Sequence, residues 1–155
     1  MTQTQEGKEA LPGAVLFACN LNQVRSPMAA ALMKLAFGDR VFVDSCGITP
    51  RGDVDPFVEA VLAEVGSGLG RHGAQAFDDM EDGSFDLIIC LTSEALARAE
   101  ALAKGRATEV EYWPTDDPTA AAGSRSQALD AYRGVREALR RRIAARFGSP
   151  STMTG

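Results

Sequence analysis

The sequence predicts an α/β protein built as a three-layer sandwich, in which a four-stranded parallel sheet lies between two layers of helices. Short apolar, β-rich runs alternate with longer helical patterns along the whole chain, and this alternation is typical of parallel sheets. No linker or low-complexity tract divides the 155 residues, a length that fits one domain. We therefore expect a single domain over 14–148, with flexible arms at 1–13 and 149–155.

The first half of the chain contains two predicted strands and the helix between them. Residues 15–18 form a compact apolar run, which is typical of a strand buried on both faces. Ser26 and Pro27 then have the pattern of an N-cap followed by proline at the first helical position. Strong helix formers continue over 28–37, and 41–45 is predicted as the second strand.

The second helix and the third strand have clear boundary signals. Asp55 stands before a proline and caps the helix, which Gly66 ends. Residues 85–91 are predicted as the central strand, and Thr92 or Ser93 caps the helix that follows. Each pair of successive strands is therefore joined by a helical crossover, as parallel pairing requires.

The last strand and helix complete the alternation. Residues 107–113 have a more polar alternation, which favours an edge strand. The capping box Ser124-x-x-Gln127 opens the long last helix. In such folds ligands bind beyond the carboxyl ends of the strands. The loop at 19–26, CNLNQVRS, leaves the first strand at that edge and is the candidate binding loop.

This loop has the residues of an oxyanion site. Its successive backbone N–H groups can point inward as an anion nest, and the following helix adds the positive end of its dipole. Arg25 can donate two parallel hydrogen bonds to a phosphate group. The same field favours the nucleophilic thiolate of Cys19, and Ser26 can donate a hydrogen bond to that sulfur. The loop therefore predicts attack by sulfur on a bound phosphoryl group.

Phosphoryl transfer to sulfur also requires a general acid, because the departing oxygen needs a proton. The stretch YWPTDDPTAA offers Asp116 and Asp117 on a proline-stiffened loop after the fourth strand. That loop leaves the same carboxyl edge of the sheet as Cys19. Both aspartates are therefore candidates for the acid.

Taken in order, these segments resemble the low-molecular-weight protein tyrosine phosphatase family, whose fold thioredoxin-coupled arsenate reductases share. The resemblance covers roughly 14–147 and rests on Cys-x5-Arg-Ser-Pro, DSCGITP, DPFVEAVLAEVG, RHGAQ, FDLIICL and the Asp-Pro loop. It implies a flavodoxin-like topology. It also implies a cytoplasmic phosphomonoesterase that needs no metal or organic cofactor and acts on phosphorylated proteins or small aryl phosphates.

The resemblance also assigns roles to single residues. Cys19 would be the nucleophile that forms a phosphocysteine, and Arg25 would hold the phosphate. Asp117, directly before a proline, would be the acid and then the base that activates water, while Ser26 would support the thiolate. The backbone amides of Asn20, Leu21, Asn22, Gln23, Val24 and Arg25 would complete the phosphate-binding loop, and Ser45 and His72 would hold Asn22 in place.

The sequence departs from the family pattern at several places. Leu21 stands where the family loop commonly has glycine, and a positive φ there would strain a leucine. Val24 replaces a second cysteine, so the adjacent disulfide that protects the family nucleophile is absent. Thr119 and alanines follow the Asp-Pro pair, where aromatics often line the substrate cleft, and Arg51 and Gly52 lie on the opposite loop. The resemblance therefore implies phosphatase chemistry more directly than a preference for phosphotyrosine.

Two other functions stay open. In arsenate reduction, Cys19 would attack arsenate, and Cys46 or Cys90 would resolve the intermediate. Related reductases keep their resolving cysteines after the third strand, where TSEALARAEA has none. Cys46 and Cys90 are otherwise predicted as packing residues. The other function is a non-catalytic module that binds phosphate or phosphoproteins.

Composition limits the partners and the cellular compartment that we expect for this protein. The net charge of −5 argues against nucleic acid as a partner, and no apolar stretch reaches the length of a membrane span. The start lacks the basic and apolar regions of a signal peptide, and three cysteines form no disulfide framework. We therefore expect a cytoplasmic protein with reduced thiols. His72, the only histidine, has no evident ligand partners, so no metal site is predicted. A homodimer stays open.

Overall fold

The computed structural model describes residues 11–70, 73–80, 84–120 and 123–148. Within these ranges four strands alternate with four α-helices, as the sequence predicts. In chain order they are β1 (Ala14–Cys19), α1 (Arg25–Phe37), β2 (Phe42–Gly47), α2 (Pro56–Ala63), β3 (Leu87–Cys90), α3 (Ser93–Ala103), β4 (Glu109–Tyr112) and α4 (Arg125–Phe147). Short 3-10 helices lie at Gly38–Arg40, Phe77–Met80 and Pro118–Ala120.

The four strands form one parallel sheet in the order β2-β1-β3-β4. Helices α1, α2 and α4 pack on one face and α3 packs on the other, which confirms the three-layer sandwich. β4 lies at an edge, as its polar alternation predicts. β1 lies between β2 and β3, so the loop after β1 leaves the sheet where the strand order reverses, the usual place for a ligand site in such folds.

Alternate residues of β1 belong to two different apolar layers, because successive side chains of a strand point to opposite faces. Val15, Phe17 and Cys19 lie on the face that α1, α2 and α4 cover. Leu16 and Ala18 lie on the face that α3 covers. The strand is buried from Val15 to its end, so it forms a rigid base for the loop that follows.

Strand boundaries differ from the predicted ones by a few residues. β2 continues through Cys46 and Gly47, because these pair with the last two residues of β1. β3 and β4 are shorter than predicted, and beyond the ladder only single backbone bonds remain, such as Trp113 N to Cys90 O at 2.8 Å. No helix in the described ranges is long and apolar enough to cross a membrane. Of the predicted arms, 1–10 and 149–155 lie outside the described residues, and Leu11 packs against the core.

The predicted cap of the first helix is wrong, whereas the other caps are confirmed. α1 already begins at Arg25, and Val24 occupies the cap position without a side-chain hydrogen bond. Ser26 is instead directed at two buried side chains, those of Cys19 and Asn22, which removes its hydroxyl from the helix amides. The confirmed caps are Asp55 for α2, Thr92 for α3, and the box of Ser124 and Gln127 for α4.

Candidate active site

Cys19 ends β1, and among the described residues its sulfur has one hydrogen-bonding side chain close to it. The Sγ atom lies 3.0 Å from Oγ of Ser26, the second residue of α1. Asn22 Nδ2 donates to that same oxygen at 2.8 Å, so the hydroxyl hydrogen is directed at the sulfur or at the carbonyl of Cys46, 3.3 Å away. Ser26 therefore lies where its hydroxyl can stabilise a thiolate at residue 19.

Asn22 holds the loop in shape from a fully buried position. It is the only non-glycine residue in the described ranges with a positive φ, 58°, a region that asparagine tolerates. Its side chain donates to Ser26 and Ser45, at 2.8 and 3.0 Å, and accepts from the backbone N–H of Gln75 at 2.8 Å. The left-handed residue is thus Asn22 rather than Leu21, so leucine at 21 is not strained in this way.

The segment after β2 fixes the outer side of the loop. The N–H groups of 48, 49, 51 and 55 donate to the loop carbonyls of 19, 20, 21 and 23, at 2.8–3.2 Å. In a trans peptide the N–H points away from the C=O of the same unit. The N–H groups of Asn20, Leu21, Asn22 and Val24 therefore point away from this segment. This orientation is the one that an anion nest requires.

Two residues that the sequence did not single out also position the loop. A Cβ atom on Gly47 would lie 2.8 Å from both Asn20 O and Asn22 N, so only glycine allows the close approach. Thr92 caps α3 and also donates its hydroxyl to Asn20 Oδ1 at 2.7 Å. The first contact joins the loop to the end of β2, and the second joins it to the start of α3.

Arg25 joins this loop to the loop between β4 and α4. Its Nη1 donates to the carbonyl of Thr115 at 3.0 Å, and its Nη2 lies 4.0 Å from Oδ2 of Asp117. The other carboxylate oxygen of Asp117, Oδ1, accepts from both N and Oγ1 of Thr119, at 3.0 and 2.6 Å. The two loops predicted to meet at the carboxyl edge of the sheet therefore do meet there.

Asp117 is favoured as a carboxylate. Partial burial raises its pKa, but the two hydrogen bonds from Thr119 and the nearby charge of Arg25 outweigh that effect and hold the pKa below its ordinary value. The side chain is 46% exposed, so solvent reaches it. In this conformation the group is more readily a base than an acid at neutral pH.

A cavity of about 230 Å³ lies between the two loops. It contains a sulfur, a guanidinium and a carboxylate, the three groups that phosphoryl transfer to sulfur needs. Asp116 and Asp117 both line a neighbouring groove against α4, but only Asp117 of the two candidate acids also lines this cavity. The lining residues are Cys19, Leu21, Gln23, Val24, Arg25, Asp117 and Thr119.

The other two cysteines lie on the opposite face of the sheet. Cys46 and Cys90 both pair across from Ala18 and belong to the layer under α3, whereas Cys19 belongs to the layer under α1. Their side chains point away from that of Cys19, which excludes a disulfide without backbone movement. Burial raises the pKa of both thiols, that of Cys90 to about 12. Their prediction as packing residues agrees with this placement.

The remaining predicted residues are placed as follows. Ser45 bonds Asn22, as the resemblance implies, and Gln23 donates its side-chain amide to the Arg51 carbonyl at 2.6 Å. His72 lies outside the described residues. In the described part of the chain, no three His, Cys, Asp or Glu side chains lie together as a metal site requires.

Comparison with known proteins identifies the family. Residues 14–145 match the sequence model described as "Low molecular weight phosphotyrosine protein phosphatase". The chain therefore belongs to the low molecular weight phosphotyrosine protein phosphatase family, a family of enzymes, and the resemblance stated from the sequence is confirmed.

The proteins that this chain resembles are named either arsenate reductase or tyrosine phosphatase. Arsenate reductase 1 of Staphylococcus epidermidis is 33% identical over 104 residues, which are 67% of this chain and 76% of the relative. Arsenate reductase of Halalkalibacterium halodurans is 29% identical over 129 residues, 83% and 91% of the two chains. Among solved structures, a tyrosine phosphatase of Erwinia amylovora has a TM-score of 0.70 at 22% identity, covering 85% of this chain and 89% of its own. An arsenate reductase in its phosphate-binding state has a TM-score of 0.69 at 24% identity, covering 85% and 94%.

Proposed function

We propose that this protein is a cysteine-dependent phosphomonoesterase that hydrolyses aryl phosphates, including phosphotyrosine in proteins. One observation carries the proposal: the sulfur of Cys19, the guanidinium of Arg25 and the carboxylate of Asp117 line one small cavity. The three free thiols fit a cytoplasmic setting. The rest of the site is arranged around the loop after β1, as an oxyanion cradle requires.

In the first step the Cys19 thiolate attacks phosphorus, the S–P bond forms, and the P–O bond to the leaving group breaks. The protonated form of Asp117, the minor form of the free protein at neutral pH, gives its proton to the departing oxygen. Arg25 and the loop amides balance the charge of the transferring group. In the second step the Asp117 carboxylate takes a proton from water, the water oxygen attacks phosphorus, and the S–P bond breaks. Inorganic phosphate leaves and the thiolate is restored.

The test is hydrolysis of p-nitrophenyl phosphate by the wild type and by Cys19→Ser. We expect vanadate-sensitive hydrolysis in the wild type and a loss of at least about 10⁴-fold in the variant, because a serine hydroxyl is a far weaker nucleophile than a thiolate. Phosphate and vanadate binding should survive, since the amides and Arg25 remain. Equal turnover in the two proteins contradicts the mechanism. Tight phosphate binding without any turnover favours the non-catalytic binding module.

Arsenate reduction is the second candidate, because curated relatives are named arsenate reductases. In that reaction the Cys19 thiolate attacks arsenic, the S–As bond forms, and an As–O bond breaks with its oxygen leaving as water. A second thiolate then attacks the Cys19 sulfur. The S–S bond forms as the S–As bond breaks, and arsenic leaves as arsenite with the electron pair. Cys46 and Cys90 lie on the opposite face of the sheet, so neither can supply the second thiolate without backbone movement. A thiol from another molecule would have to do so.

The two candidates are separated by arsenate consumption in the presence of thioredoxin. A phosphatase without reductase activity leaves arsenate unchanged. Arsenate loss that persists in Cys46→Ser and Cys90→Ser indicates reduction with an external thiol. Loss that disappears in either variant indicates an internal relay and contradicts the placement of those thiols as packing residues.

A further inference from the structure

Thr119 contacts Asp117 more closely than any other residue described around this carboxylate. Its hydroxyl and its backbone N–H both donate to Asp117 Oδ1, at 2.6 and 3.0 Å. Thr119 also lines the cavity with Cys19. The contact is therefore a property of this chain at the edge of its own site.

We propose that Thr119 is a positioning residue for Asp117. Its two hydrogen bonds to Oδ1 leave Oδ2 to carry the transferred proton, and its hydroxyl sets the upper end of the pH range in which Asp117 acts as an acid. The inference rests on the proposed phosphatase function. Thr119 acts through the carboxylate and does not touch the reacting atoms in this structure.

The assignment of the proton follows from the hydrogen bonds. Oδ1 already accepts from two donors, so a proton on Oδ1 would displace them. Oδ2 lies 4.0 Å from Arg25 Nη2 and is the oxygen nearer to the phosphate-binding residues. The Oδ2–H bond therefore breaks when the leaving oxygen is protonated, and Oδ2 accepts the proton of water in the second step.

The pH range follows from the charges that Asp117 meets. Arg25 and Cys19 face it from the loop after β1, and Asp116 is its neighbour. From α4, Tyr132 lies near it, and Arg141 and Arg142 line the groove that Asp117 also lines. Burial and the hydrogen bond to Asp55 raise the pKa of Tyr132, so the phenol is uncharged at neutral pH. Of the groups that lower the pKa of Asp117, Thr119 can lose its side-chain contribution by deletion of a single hydroxyl, while its backbone N–H still donates.

The experiment compares Thr119→Val and Thr119→Ser in the pH dependence of kcat/KM for phenyl phosphate, whose leaving group needs the acid. This profile reports groups of the free enzyme. Valine removes the hydroxyl, so Asp117 should keep its proton to higher pH and the alkaline limb should move upward. Serine should restore the wild-type limb. Thr108→Val is the matched control, because that hydroxyl donates to the Phe85 carbonyl at 2.7 Å and neither residue lines the cavity. An unshifted limb in Thr119→Val, or equal shifts in the valine and serine variants, overturns the proposal.

A second measurement does not depend on turnover. Carbon-13 NMR of aspartate-labelled protein follows the carboxyl titration of Asp117, assigned with Asp117→Asn. The midpoint should rise in Thr119→Val and stay at the wild-type value in Thr119→Ser; an unchanged midpoint in the valine variant overturns the positioning role. If the wild type does not hydrolyse aryl phosphates, the proposed function fails, while this titration still decides the role of Thr119.

Discussion

The two loops that meet at the candidate site are built differently. In the loop after β1, Asn22 is fully buried and makes three side-chain hydrogen bonds, and the segment after β2 engages four carbonyls. In the loop after β4, Asp117 is 46% exposed and is held by Thr119 and Arg25. The loop proposed to bind the anion is thus preorganised by buried contacts, whereas Asp117, the proposed acid, lies on a partly exposed loop.

This difference has a chemical reason. A cradle stabilises a developing oxyanion most when its dipoles are already oriented, because reorientation during the reaction costs free energy. An acid that later acts as a base must exchange a proton with a leaving group and then with water, so it needs access to both. The rate loss caused by a substitution in the loop after β4 should therefore depend on the leaving group of the substrate, whereas that caused by a substitution in the loop after β1 should not.

Among the variants that distinguish the two loops, Asp117→Ala should have the largest effect, with a substrate whose leaving group needs protonation. We expect kcat/KM for phenyl phosphate to fall by about 10³-fold, the usual range for loss of a general acid. With 2,4-dinitrophenyl phosphate, whose leaving group is stable as an anion, the loss should be less than about tenfold. Steady-state kinetics on both substrates check this.

Asp116→Ala is the matched control, since Asp116 lines the groove on the other side of the loop. It should leave both substrates within about twofold of wild type. If Asp116→Ala shows the substrate-dependent loss and Asp117→Ala does not, the acid is Asp116 and the placement of Asp117 beside Arg25 has no catalytic meaning.

A lesion in the cradle should affect all substrates alike. In Gly47→Ala the new Cβ would lie 2.8 Å from Asn20 O and Asn22 N, which are backbone atoms, so the loop must move. A misplacement of the loop by about 1 Å would cost about 10²-fold in rate. We expect this loss on both activated and unactivated substrates, with weaker phosphate binding in calorimetry. Gly68→Ala, whose Cβ meets nothing within 4 Å, is the control.

The sequence predicted the residues whose roles follow from a linear motif and from the topology of parallel sheets. Cys19, Arg25 and Ser26 are close along the chain, and Asp117 follows a strand that ends at the same edge. Because carboxyl ends of parallel strands share one edge, their meeting could be predicted without coordinates.

The contacts that the sequence did not reveal come from residues distant along the chain. Gly47 acts through a close approach to the loop, and Thr92 acts as a hydrogen-bond donor to Asn20, a role that its cap position conceals. The misplaced cap at Ser26 has the same origin. A serine before a proline favours an N-cap locally, but bonds to a sulfur and to a buried amide outweigh that preference here. Only the packed loop shows which hydrogen bonds are made.

The smallest effect is expected on the face of the sheet that α3 covers. There Cys46→Ala and Cys90→Ala remove buried sulfurs and leave the side chains of the loops after β1 and β4 unchanged. Each should lower the free energy of unfolding by about 1 kcal/mol, because a small cavity is left. The kcat/KM for aryl phosphates should stay within about twofold of wild type. The loop after β1 is bonded by the segment after β2, and Cys19 packs in the apolar layer under α1, so neither support involves these two sulfurs. Urea unfolding and aryl phosphate kinetics measure the two quantities. A tenfold loss of activity at wild-type stability would mean that these thiols affect the reactivity of Cys19 from the other face of the sheet. The different construction of the two loops would then not explain the activity.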